Sequence, residues 1–99
     1  MANSVHDGHR ERLRKRFLKE GLDNFQPHEI LELILFYSIP RRNTSELAHN
    51  LINHFGSFSA VLDAPVEALT QVNGISTQSA VLISMLSQVL RRYNKEKNK

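Results

Sequence analysis

Cysteine is absent from this sequence. That excludes a disulfide framework, a thiolate nucleophile and a zinc-thiolate site, and leaves burial and helix packing to hold the fold in a reducing cytoplasm. Nowhere do apolar residues approach the roughly 18 in a row that a membrane-spanning helix needs, and the N-terminus lacks the apolar segment of a secretory signal peptide. A soluble protein without a membrane partner is expected. Between residues 43 and 90 there is no Lys or Arg. Phosphate contact in that stretch would have to come from backbone N–H groups. Aromatic residues make up only 7% of the chain, which speaks against extensive stacking on bases.

Catalytic arrangements are also missing. His6, His9, His28, His49 and His54 show no i,i+4 pairing and have no Cys partners, so no metal or cofactor site is expected. Glu29 and Glu32 share a helix face but have neither a nucleophile nor a companion His. Their expected role is a solvated face or pairing with arginines of the first helix. No Ser-His-Asp arrangement can be built, and the chain reads as a non-enzyme.

What is present fits one compact domain: 99 residues, of which 40% are hydrophobic. The 13 Lys and Arg exceed the 10 Asp and Glu by only +3, a weak pointer to a polyanion, and their distribution says more. They fall in three clusters: Arg10, Arg12, Arg14, Lys15, Arg16 and Lys19; Arg41 and Arg42; and Arg91, Arg92, Lys95, Lys97 and Lys99.

Residues 1–8 read as a disordered lead, 9–93 as the folded domain and 94–99 as a frayed tail. A first helix over 9–20 places Leu13 and Phe17 on its buried side and Arg12, Lys15, Arg16 and Lys19 on the solvent arc, with Gly21 as its stop. Pro27 opens a second helix, apolar nearly all round, that ends before Pro40. Asn43 or Thr44 caps a third, with Leu47, Leu51, Ile52 and Phe55 as its apolar stripe. Ser57 caps a short turn through Val61 and Leu62, and Ala64-Pro65 opens another reaching Leu69. A last helix over about 77–93 carries so many apolar positions that it should pack across the others. The fold class is all-α, a compact bundle of five to six helices.

The segment 69–83 reads as a helix-hairpin-helix. Gly74 permits a positive φ in the turn, Ile75 can tuck beneath both helices, and Ala80 lets them approach closely. The N–H groups of Gly74, Ser76 and Thr77 would be left at a helix start, where donors and dipole together suit a phosphate oxygen. The plain alternative is a glycine helix stop followed by an N-cap. A second hairpin of the same kind can be drawn around Ile39-Pro40-Arg41-Arg42-Asn43-Thr44, with Arg41 and Arg42 adding the charge that the first one lacks; the plain alternative, and the commoner one for a two-arginine turn, is a solvated loop.

An ordered set of residues covering nearly the whole chain resembles the N-terminal domain of the RadC-type, or UPF0758, family. It comprises Gly8-His9-Arg10-Glu11-Arg12-Leu13, Glu29-Ile30-Leu31-Glu32-Leu33-Ile34-Leu35, Ile39-Pro40-Arg41-Arg42, Leu47-Ala48, Phe55-Gly56-Ser57-Phe58 and Val72-Asn73-Gly74-Ile75. The resemblance implies a helix-hairpin-helix domain, a link to DNA repair, and a following JAB/MPN-type metallopeptidase-like domain. That domain's glutamate, His-X-His pair, Ser and Asp have no counterpart here. Two positions depart from the usual hairpin, Ser76 where a second glycine is common and Asn73 where Pro is common.

Two functions follow as expectations. One is sequence-independent binding of DNA backbone through Gly74, Ser76 and Thr77, with charge from Arg12, Lys15, Arg16, Arg41 and Arg42. The other is a protein-interaction or substrate-positioning domain for a JAB/MPN-type partner, or a homodimer, seated on surplus apolar positions of the last helix.

Overall fold

The computed structural model of the chain describes residues 5–40 and 43–98, with side chains from residue 8 onward. Among them are six helices and no strand: α1 (Val5–Glu20), α2 (Pro27–Phe36), α3 (Thr44–Phe55), α4 (Phe58–Asp63), α5 (Val66–Leu69) and α6 (Thr77–Lys97). The fold is all-α. Among the described residues no helix is long and apolar enough to cross a membrane. Internal contacts divide the chain into two compact units, Met1–His49 and Asn50–Lys99.

In the first unit α1 packs on α2. Gly21 stops α1 with φ +74°, its N–H donating to the Phe17 carbonyl at 2.8 Å, a conformation that costs other residues a steric penalty. Pro27 opens α2, and the Glu29 carboxylate reaches back to accept from the Gln26 N–H at 2.9 Å. Leu13, Phe25 and Phe36 form the apolar cluster between α1 and α2, flanked by Ile30 and Leu33. Phe17 is not part of it and stays 43% exposed. Four residues on from Leu13 it is turned by about 40° around the helix axis, and Phe25 from the connecting segment closes the cluster instead. The start of α3 is capped by Asn43, whose Oδ1 accepts from the N–H groups of Ser45 and Glu46 at 3.1 and 3.3 Å.

In the second unit α4 and α5 both pack on α6. Ser57 caps α4 by accepting from the Ala60 N–H at 3.1 Å. Leu51, Val61, Leu69 and Ile83 are fully buried. The last helix departs from expectation twice. It continues to Lys97, through the residues read as a frayed tail, just as α1 begins at Val5, inside the expected disordered lead. It also does not bury its apolar surplus: of its residues only Ser79, Ala80 and Ile83 are buried, while Val81, Met85, Val89, Leu90 and Tyr93 are 48–57% exposed. The reason is length. With six and four residues, α4 and α5 span about 9 and 6 Å, against about 32 Å for the 21 residues of α6.

Candidate nucleic-acid interface

The turn between α5 and α6 is built by local hydrogen bonds and two buried side chains. The Gln71 N–H donates to the Ala68 carbonyl at 3.2 Å, Val72 to Leu69 at 3.1 Å and Ile75 to Val72 at 3.1 Å. Val72 and Ile75 point inward and are buried, which pins both ends of the turn and pushes Asn73 outward. Between them Gly74 adopts φ +94°, the left-handed conformation that a side chain resists. Ile75 tucked under the turn, Gly74 at positive φ and a fully buried Ala80 all follow the sequence reading.

Ser76 then takes extended backbone angles, φ −80° and ψ 169°, and caps α6 by accepting from the Ser79 N–H at 3.4 Å. The Ser76 carbonyl accepts the Ala80 N–H at 2.9 Å. Among the described residues, the N–H groups of Gly74, Ser76 and Thr77 make no hydrogen bond. Ser76 and Thr77 are exposed and Gly74 is half-buried, so these donors sit at the surface beside the positive end of the α6 dipole. An oxyanion placed there would meet donors that no described residue engages. Serine in place of a second glycine does not close the turn, because at Ser76 the backbone is in a region open to any residue.

The cations expected to assist meet different fates. Arg12 and Lys15 are exposed on α1. Arg16 is occupied: its Nη1 and Nη2 donate to Glu29 Oε2 and Oε1, each at 3.1 Å, Nη2 also approaches the Asn24 carbonyl at 3.3 Å, and the guanidinium lies 4.2 Å over the Phe25 ring. The Arg16 hydrogen bonds hold the Glu29 carboxyl well below its ordinary range, at about 2, with the Gln26 N–H helping against the cost of partial burial. The same pairing raises the Arg16 pKa. Arg41 and Arg42 lie outside the described residues, and with them the centre of the second candidate hairpin. Gly74, Ser76 and Thr77 are thus brought together in the second unit, while Arg12, Lys15 and Arg16 belong to the first.

Arg10, grouped by sequence with the surface cations, is buried. Its Nη2 donates to the Ile39 carbonyl at 2.5 Å and its Nη1 to the Phe36 carbonyl at 3.4 Å, with the guanidinium 4.8 Å over the Phe36 ring. It ties the end of α2 to α1. Glu32 is buried too and pairs with His9 Nε2 at 2.8 Å rather than facing solvent, whereas Glu29 makes the pairing with an α1 arginine that its position suggested. His28 stacks on His49 at 4.1 Å and His54 packs edge-on against Phe55. Among the described residues no three His, Cys, Asp or Glu side chains come together in a metal-binding group.

Comparison with known proteins places the chain in a family. The sequence profile described as UPF0758 N-terminal matches residues 7–81. A UPF0758 protein of Fusobacterium nucleatum is 37% identical over 89 residues, covering 90% of this chain and 38% of that protein. A UPF0758 protein of Ruegeria pomeroyi is 49% identical over 67 residues, covering 68% of this chain and 30% of the relative. One from Rhodobacter capsulatus is 41% identical over 83 residues, covering 81% and 39%. The chain spans less than two fifths of the length of these curated relatives. No solved structure matches it.

Proposed function

Since the chain belongs to the UPF0758 family, matched over the N-terminal domain that contains the α5–α6 turn, we propose that it is a non-enzymatic module that holds DNA by its backbone without reading base sequence. The observation that carries this is the set of surface N–H donors at Gly74, Ser76 and Thr77, without hydrogen bonds among the described residues and set at the start of a 21-residue helix. Backbone donors and a helix dipole recognise a phosphate oxygen whatever base it carries. Exposed Arg12 and Lys15 add a positive field that draws a polyanion in, an effect that salt weakens.

The test is fluorescence-anisotropy titration with single-stranded, duplex and forked DNA across a salt series. Binding of similar strength to unrelated sequences, reduced at least tenfold by Gly74→Val, is the expected result. A valine at φ +94° must rearrange the turn that presents the donors. Absence of binding even at low salt overturns the proposal.

A second reading, a protein-interaction or substrate-positioning domain for a JAB/MPN metallopeptidase-like domain, is favoured by one observation. Val81, Met85, Val89 and Tyr93 recur every four residues on α6 and form an exposed apolar ridge. Under that reading Met85→Ser/Tyr93→Ser abolishes association with such a domain, read by isothermal titration calorimetry, and leaves DNA affinity intact.

A further inference from the structure

Past residue 81, where the family profile ends, α6 continues as a helix to Lys97. Its last turns place Gln88, Arg91, Arg92 and Lys95 at positions i, i+3, i+4 and i+7, on one face, and all four are exposed. With Asn94 and Asn98 they line an open depression of the surface. Among the described residues no ion pair involves Arg91, Arg92 or Lys95, although Glu96 lies four residues beyond Arg92. The charge balance agrees: residues 50–99 carry five Lys and Arg against three Asp and Glu, whereas residues 1–49 carry eight against seven.

The stripe is aligned with the hairpin. Stepping back from Lys95 by four, three, four and seven residues gives Arg91, Gln88, Ser84 and Thr77, so one polar line runs from the helix start to the cations. The distance from Thr77 to Arg91 along the axis is about 21 Å, and from Gln88 to Lys95 about 10 Å. Ten ångström is the axial length over which one DNA strand presents about three phosphates. Amide side chains interleaved with guanidinium and ammonium groups donate well to phosphodiester oxygens.

We propose that the Gln88–Arg91–Arg92–Lys95 stripe is a second phosphate-contact patch, along which the backbone of a nucleic acid lies on α6. It rests on the DNA-backbone reading above and extends it from a point contact to a track on one rigid helix. The hairpin fixes one end through neutral donors, and the stripe supplies the charge that the hairpin lacks.

The experiment compares the full 99-residue chain with Arg91→Gln/Arg92→Gln/Lys95→Gln, measuring duplex affinity between 50 and 200 mM salt. Each neutralised phosphate contributes about 0.9 to the slope of log affinity against log salt. The variant's slope is expected to be shallower by about 2 to 3, so that across this range the wild-type chain loses roughly 40-fold more affinity than the variant. Arg91→Lys/Arg92→Lys keeps the slope, and Gly74→Val lowers affinity without changing it. Wild-type binding with an unchanged slope in the triple variant overturns the stripe and leaves the hairpin reading standing. Absence of wild-type binding to DNA overturns both. Binding to phosphatidylserine vesicles in place of DNA, lost in the triple variant, overturns the proposal in favour of a lipid surface.

Discussion

The two units use charge in opposite ways. In the first, two arginines are structural parts, Arg10 holding the carbonyls of Phe36 and Ile39 and Arg16 gripping Glu29 with both arms of its fork, and His9 hydrogen-bonds a buried Glu32, while Arg12 and Lys15 stay exposed. In the second, an apolar centre of Leu51, Val61, Leu69 and Ile83 needs no charge, and the cations stand exposed on α6. The same residue types thus include mortar in the first half, whereas on α6 they stand only at the surface. A count of basic residues does not separate the two, and only the location of acceptors does.

The largest expected effect falls on Arg10. Arg10→Met leaves two carbonyls in a buried region without their donor and should cost about 3 kcal/mol, comparable with Leu69→Ala in the other unit. A solvated arginine would cost under about 0.5 kcal/mol. Urea denaturation with the m-value monitored distinguishes these, and a near-neutral Arg10→Met would erase the contrast between the units.

The next effect is a pH dependence. The Glu29 pKa falls from an ordinary 4.5 to about 2 in the folded chain, so the unfolded chain binds the proton more tightly. The stabilisation this represents is fully present above about pH 4.5 and is lost as pH falls through about 2. In Glu29→Gln, the loss of stability on acidification between these values should be smaller than in the wild-type chain, as thermal melts in that range would show. Equal acid sensitivity in both would mean that the pair contributes nothing beyond its geometry.

The smallest effect sharpens the comparison from the other side. Met85→Gln/Val89→Thr on the exposed face of α6 should shift stability by less than about 0.5 kcal/mol, because neither side chain is buried by the fold. A loss of several times that, concentration-dependent in a thermal melt, would show that the ridge is covered by association.

Much of the fold was legible in the sequence because its signals are local. Gly21, Pro27, Asn43, Ser57 and Ser76 act within a turn of where they sit, and the helices begin and end close to them. The α5–α6 turn was legible for the same reason, with Gly74, Ile75 and Ala80 each meeting a requirement of nearby backbone. What escaped the reading is non-local. Arg10 is buried because its acceptors lie 26 and 29 residues away, and Phe25 displaces Phe17 from the core because a connecting segment folds back. Of the stripe's cations, Arg91 and Arg92 fall within the helix expected over 77–93, and only Lys95 lies in the tail expected to fray. Continuing the helix to Lys97 adds Lys95 to the face that carries Gln88, Arg91 and Arg92.

Glu29 links two events that secondary structure alone would keep separate. Its Oε1 serves both the Gln26 amide at the mouth of α2 and the Arg16 fork, while Oε2 completes that fork. Fraying of the first turn of α2 therefore also loosens the Arg16 tether to α1, and release of that tether loosens the turn. The shared carboxylate couples the opening of the two ends. The exchange of the Gln26 amide proton with solvent is a clock set by both.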